Sequence, residues 1–108
     1  MKRDINLFIQ DILENVKDIE SFSKGLTKEE FEKNKLKQNA IIRSLEVIGE
    51  AVKNIPEPFR EKYPKIPWKE IAGFRDILSH SYFGVNIERV WNMLEIDLPV
   101  LKEEMKKI

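Results

Sequence analysis

Apolar residues recur at three- and four-residue steps along most of the chain, and this spacing predicts amphipathic helices. The first stripe predicts a helix from about Lys2 to Ser23, with Gly25 as its natural stop. Its members are Ile5, Phe8, Ile9, Ile12, Val16 and Ile19. Because these positions fall on one side of a helix, we expect that side to face the core.

The second predicted helix begins at a capping box formed by Thr27 and Glu30 and continues to about Asn54. Its apolar stripe is Ile41, Leu45, Ile48 and Val52, widened by Ala40, Val47 and Ala51. So broad an apolar arc predicts one face in the chain's own core and another against a second subunit.

Polar residues occupy the opposite side of this helix, where Arg43, Glu46 and Glu50 recur at helical spacing. The favoured interpretation is a solvated face with internal ion pairs. The alternative is the polar lining of a cleft.

Four prolines, at positions 56, 58, 64 and 67, then interrupt the helical pattern. They predict a connector inside a single domain, residues 1–108, with one short helical turn over Phe59 to Lys62. Pro67 suits the first position of a third helix that runs to about Ser81. Its predicted core positions are Ile71, Phe74, Ile77 and Leu78.

Asn86 is a good N-cap for a fourth helix. The stripe of that helix is Ile87, Val90, Trp91, Leu94, Leu98, Leu101 and Met105. Pro99 falls inside the stripe, and we expect a kink there because the stripe keeps its phase. Four such helices with short connections and no strand pattern predict an all-α, antiparallel four-helix bundle.

Composition narrows the chemistry that this bundle can perform. Nineteen basic and nineteen acidic residues cancel, which argues mildly against a nucleic-acid binder, although Lys33, Lys35 and Lys37 form a local basic patch. The absence of cysteine excludes disulfides and thiol catalysis, and a single histidine argues against a structural zinc site. No signal peptide and no apolar run of membrane-spanning length is recognisable, so we expect a cytoplasmic protein.

The candidate chemistry is concentrated in the stretch from Ile66 to Val85, which contains the sole histidine, His80. On a helical wheel, Arg75, Ser79 and Tyr82 lie on one border of the core side. His80 lies well round from Arg75, but a loosened last turn would swing its imidazole toward the guanidinium. The geometry permits a shared site.

Arginine with histidine suits RNA cleavage without a metal ion. Histidine can exchange protons near neutral pH, either with the attacking 2′-hydroxyl or with the departing 5′-oxygen. A guanidinium can meet the additional negative charge of the transition state with two parallel donors. One histidine per chain supplies one acid or one base, so a two-fold dimer would complete the site.

Structural roles for the same residues remain open at this point. A histidine near the C-terminus of a helix often only compensates the helix dipole, and from the residue chemistry alone this interpretation is favoured. Arg75 would then pair with Asp76 or Glu70, and Tyr82 would be a half-buried aromatic with a solvated hydroxyl.

The order of short blocks along nearly the whole chain resembles the HEPN superfamily, and within it the HepT-like toxins of prokaryotic toxin–antitoxin pairs. The family signature is Arg, four residues, His, any residue and Tyr, which stands here as Arg75, His80 and Tyr82. The flanking blocks are IGEA (48–51), IPW (66–68), AGFRD (72–76), VW (90–91) and LP (98–99).

This resemblance implies a homodimeric helical bundle that cleaves RNA without a metal ion or other cofactor. Arg75 would orient and stabilise the phosphate, His80 would transfer protons, and Asp76 would fix the orientation of one of them, with Ser79 as a further supporting residue. It also implies a partner, a minimal nucleotidyltransferase antitoxin that transfers AMP to Tyr82. Two rivals remain: a non-catalytic helical module that partners a nucleotidyltransferase, and a purely structural dimerising bundle.

Overall fold

The computed structural model describes residues 4–79 and 84–108, and within these residues all regular structure is helical. The helices are α1 (Ile5–Ser23), α2 (Lys28–Lys33), α3 (Lys35–Lys53), α4 (Glu57–Arg60), α5 (Trp68–Ser79), α6 (Ile87–Asn92) and α7 (Leu98–Met105), with a π-helical turn (Met93–Asp97) between the last two. The predicted all-α class and helical bundle are confirmed. No helix in the described residues is long and apolar enough to cross a membrane.

Helix α3 is the centre of the bundle. It packs along α1 on one side and α5 on the other, and α7 returns to pack against α1. The buried core draws on all of these helices, and its fully enclosed side chains include Ile12, Ile41, Ile48 and Leu101. Burial of such aliphatic side chains supplies most of the free energy that holds helices of this length together.

The connection between α1 and α2 follows the predicted signals. Gly25 adopts a positive φ of 71°, which glycine tolerates without strain, and it lies just beyond the end of α1. The capping box is present: Thr27 Oγ1 accepts from the Glu30 N–H at 3.1 Å, and Glu30 Oε1 accepts from the Thr27 N–H at 3.0 Å. The start of α2 is therefore fixed by its own side chains.

The predicted second helix is in fact two helices, because the chain leaves the helical conformation at Asn34 (φ −110°, ψ 91°). The Asn34 side chain accepts from the Lys37 N–H at 3.0 Å and so caps α3. The break lets Phe31 enter the core, where its ring lies 5.4 Å from that of Trp91. The prediction of a continuous helix was wrong because an asparagine can replace a lost backbone bond with a side-chain one.

The proline-rich connector is held to the bundle by hydrogen bonds. Arg60 donates to the carbonyl oxygen of Val52, in the last turn of α3, at 2.8 Å and to that of Ile55, just beyond the helix, at 2.9 Å. Carbonyls at the end of a helix lack the full set of helical donors, and the arginine supplies further ones. Trp68 Nε1 lies 3.1 Å from the carbonyl oxygens of both Arg60 and Tyr63. Helix α4 begins two residues earlier than the predicted turn, directly after Pro56.

A kink was expected at Pro99, but the irregular part of the last helical segment lies one turn before it. Pro99 lies in the first turn of α7, and the π-helical turn precedes it. The proline ring would clash with the carbonyl of the residue four positions back, Glu95, which lies within that turn. The wider π-helical turn accommodates this conflict before the proline is reached.

Candidate functional site

Arg75 is placed by a very close approach of α5 to α3 at Gly49. A Cβ atom added at Gly49 would lie 2.2 Å from Arg75 Cβ and 2.8 Å from its Cγ. It would also lie 3.3 Å from the carbonyl oxygen of Ile71. Glycine is therefore the residue that lets the base of the Arg75 side chain rest directly on the backbone of α3.

The guanidinium of Arg75 lies between two carboxylates. Its Nη2 is 3.2 Å from Glu50 Oε2 on α3, and its Nη1 is 3.3 Å from Asp76 Oδ1 on α5. Asp76 Oδ1 also accepts from Lys53 Nζ at 3.0 Å. These four residues (Glu50, Lys53, Arg75 and Asp76) form a chain of alternating charge across the α3–α5 seam, and we call it the charge chain.

The charge chain lowers the pKa of the Asp76 carboxyl below its ordinary value. The hydrogen bond from Lys53 contributes most, and the one from Arg75 adds to it. Because both partners are cations, they favour the ionised form of the acid. The predicted supporting role of Asp76 stays a prediction, and its contact with Arg75 is consistent with it.

A cleft of about 190 Å³ lies beside Arg75. Its lining comes from α1, α3 and α5 and comprises Phe8, Asp11, Arg43, Glu46, Val47, Glu50, Ala51 and Arg75. Arg43 Nη1 lies 3.8 Å from Glu46 Oε2, so the polar face of α3 carries an internal ion pair. The same two residues line the cleft, so both interpretations of this face apply. The association of Glu50 with Arg75 was not predicted, since helical spacing says nothing about contacts between helices.

The structure describes only some of the other predicted site residues. Helix α5 is described as far as the backbone of Ser79, while His80 and Tyr82 lie outside the described residues. The meeting of His80 with Arg75 stays a prediction. The basic patch is also divided: Lys37 Nζ donates to the Phe22 carbonyl oxygen at 2.7 Å, whereas Lys33 and Lys35 are exposed.

A second concavity, which we call the open groove, lies between α5 and the π-helical turn. It measures about 360 Å³ and is lined by Glu70, Gly73, Phe74, Ile77, Arg89, Asn92, Met93, Ile96 and Asp97. Ile77 was predicted to lie in the core, but it is 41% exposed. Ile77 lines the open groove, and this position on the core side of the wheel is therefore partly exposed.

Charged groups line the open groove as well. Burial raises the pKa of the Asp97 carboxyl, and the nearby Glu70 carboxylate raises it further. The guanidinium of Arg89 lies 5.7 Å from the centre of the Phe74 ring, within cation–π range.

Comparison with known proteins identifies relatives of this chain. The family model described as Ribonuclease HepT-like matches residues 12–108. A Methanocaldococcus jannaschii protein that carries a provisional name as an RNase is 53% identical over 107 residues, covering 99% of this chain and 88% of the relative. The "Probable ribonuclease HepT" of Thermococcus cleftensis is 44% identical over 108 residues, covering 100% of this chain and 98% of the relative. No solved structure gave a significant match.

Proposed function

The chain belongs to the HepT-like ribonuclease family, and we propose that it is a metal-independent endoribonuclease whose catalytic residues are Arg75 and His80. The observation that carries the proposal is the placement of Arg75. Arg75 lies on α5, five residues before His80 in the sequence, and its guanidinium is held at the edge of the cleft. Relatives with ribonuclease names, which this chain matches over most of their length, support the same activity.

In the proposed reaction, the 2′-oxygen of a ribose attacks the adjacent phosphorus and the bond from phosphorus to the 5′-oxygen breaks. A base removes the 2′-hydroxyl proton, and an acid protonates the departing 5′-oxygen. His80 performs one of these transfers, and Arg75 donates to the phosphate oxygens as their negative charge grows. The products are a 2′,3′-cyclic phosphate and a 5′-hydroxyl.

The proposal includes a homodimer, because each chain has one histidine and the reaction needs both an acid and a base. A two-fold axis beside the cleft would bring His80 of each protomer to one phosphate. Val47, which is only half-buried and lines the cleft beside Glu50, provides apolar surface for such an interface.

Cleavage of single-stranded RNA in the presence of a chelator tests the activity. We expect wild-type protein to cut the RNA, and we expect His80→Ala and Arg75→Ala each to reduce the rate by about a hundred-fold or more. Arg89→Ala is the matched control, since Arg89 is an arginine of α6 that lines the open groove and not the cleft beside Arg75. Equal rates for wild type and His80→Ala would remove His80 from the mechanism.

We further propose that the protein is the toxin of a toxin–antitoxin pair. A minimal nucleotidyltransferase would neutralise it by transferring AMP from ATP to the Tyr82 hydroxyl, with release of pyrophosphate. In a cleft meant to hold RNA, an added phosphate would exclude RNA phosphates by bulk and by like charge. Intact-mass measurement after co-expression with a neighbouring nucleotidyltransferase should show one added AMP on wild-type protein and none on Tyr82→Phe. An unmodified wild-type protein that still loses its ribonuclease activity would contradict the transfer.

A second candidate is a non-catalytic module that binds a nucleotidyltransferase and helps to position its substrate. The observation that favours it is charge balance: Glu50 and Asp76 offset the charge of Arg75, and the whole chain is neutral. A purified protein that cuts no RNA, while its partner modifies a third molecule, would support this candidate over the nuclease.

A further inference from the structure

We infer that Glu50 is a positioning residue for Arg75: it holds the guanidinium at the angle needed for phosphate and also weakens RNA binding. The inference rests on the proposed ribonuclease function. It assigns to α3 a part in a reaction whose predicted residues all lie in the stretch that follows α4.

Two carboxylates contact the guanidinium of Arg75 from different helices. Glu50 meets Nη2 of Arg75 at 3.2 Å, and Asp76 meets Nη1 at 3.3 Å. The two acids come from different helices and contact different nitrogens of one planar group. A hydrogen bond to Asp76 and an ion pair with Glu50 together restrict rotation of that plane about the long, flexible arginine side chain more than either contact alone.

The two acids are not equivalent, and this makes Glu50 the more specific of the pair. Asp76 divides its Oδ1 between Arg75 and Lys53, whereas within residues 4–79 and 84–108 the cation placed against Glu50 Oε2 is Arg75. Glu50 also follows Gly49, where α5 approaches α3 so closely that a Cβ atom would have no room. The backbone of Glu50 is therefore next to a close contact between α3 and Arg75, and a site built on rigid elements is precise.

The charge of the Glu50 carboxylate also affects how strongly Arg75 attracts RNA. Glu50 places a full negative charge 3.2 Å from the group that must attract an RNA phosphate. Its carboxylate both competes with that phosphate for Nη2 and reduces the local positive potential. Glu50 thus favours the orientation of Arg75 but opposes its attraction for phosphate. Loss of Glu50 should therefore lower the turnover rate and raise the affinity for RNA.

The test compares full-length wild-type protein with Glu50→Ala and Glu50→Gln on a labelled, mixed-sequence single-stranded RNA. For Glu50→Ala we expect kcat to fall on the order of 10- to 100-fold while KM also falls. Glu50→Gln, which keeps an acceptor oxygen but no charge, should recover part of kcat and retain the lower KM. In a His80→Ala background, Glu50→Gln should bind the same RNA several-fold more tightly.

Glu88→Gln is the matched control, because Glu88 forms an exposed pair with Lys28 of another helix at 3.4 Å. Exposed pairs of this kind are too weak for their loss to unfold the protein, and circular dichroism would verify that each variant is folded. Glu50 variants with the kcat and KM of Glu88→Gln would overturn the inference, and so would a rise in KM. Absence of His80-dependent cleavage in the wild type would instead overturn the proposed function, and the inference with it.

Discussion

Helix α5 has two sides of opposite character. Toward α3 it is in such close contact that position 49 has no room for a Cβ atom, and a chain of four alternating charges crosses the seam. Toward the π-helical turn it leaves a groove of about 360 Å³, with Ile77 41% and Ile96 64% exposed along it. Arg75, one of the two residues predicted to act on RNA, is on the side toward α3, where a side chain can be held in one orientation.

The comparison predicts that truncating neighbouring residues of α5 will have very different effects. Leu78 is 7% exposed, so Leu78→Ala should cost about 2–5 kcal/mol of unfolding free energy through lost burial and an unfilled cavity. Ile77→Ala removes a similar volume from the open side and should cost less than about 1 kcal/mol. Urea denaturation of both variants measures the difference, and equal losses would mean that the groove is closed in solution.

Two glycines test the same contrast with a single added methyl group. Gly49→Ala forces a methyl group into the base of Arg75, and overpacking of this kind should cost about 1–3 kcal/mol and displace the guanidinium. Gly73→Ala is the control: a Cβ atom there meets nothing within 4 Å, and alanine in a helix should add about 0.5–1 kcal/mol of stability. Thermal melts of the two variants should therefore shift in opposite directions from wild type. A shift in the same direction would show that the seam can adjust to a larger residue.

The smallest expected effect is the response of the two sides to pH. The lowered pKa of Asp76 stabilises the fold above the unfolded-state pKa, and this contribution is lost as the pH falls through the lower folded value. The raised pKa of Asp97 has the opposite sign: its relative stabilisation is fully present below the unfolded-state pKa and is lost as the pH rises through the higher folded value.

Denaturation curves between neutral and acidic pH check this contrast. Asp97→Asn should stabilise the protein at neutral pH, and its advantage should shrink as the buffer becomes acidic. Asp76→Asn should destabilise it slightly at neutral pH, with the difference again vanishing in acid. Matching pH profiles for the two variants would contradict the assignment of opposite shifts.

Local signals in the sequence predicted local structure well. The Thr27–Glu30 capping box is present, and Gly25 has the positive φ expected beyond a helix end. Both features depend only on residues that are close in the chain. The break at Asn34 was missed although its signal is equally local, because no proline or glycine marks it and the cap depends on the Asn34 side chain.

Features that depend on packing between helices were not predictable in this way. The wheel placed Ile77 near the core, but only the separation of α5 from the π-helical turn decides that it is exposed. Similarly, the spacing of Glu50 along α3 indicated a polar face, and only the approach of α5 at Gly49 brings Arg75 to it. The pairing of Arg75 with His80 rests on family resemblance and stays a prediction.

The π-helical turn has a consequence for how this part of the chain can vary in length. Buried Met93 and Leu98 are five residues apart, a step that would put them on different faces of a regular α-helix. The wider turn absorbs one surplus residue and keeps both in the core. Deleting the exposed Glu95 would leave a four-residue step, which an ordinary helical turn can span. Homologues that are one residue shorter here and have no proline at the position of Pro99 could thus keep the same buried stripe, with a straight helix in place of the bulge.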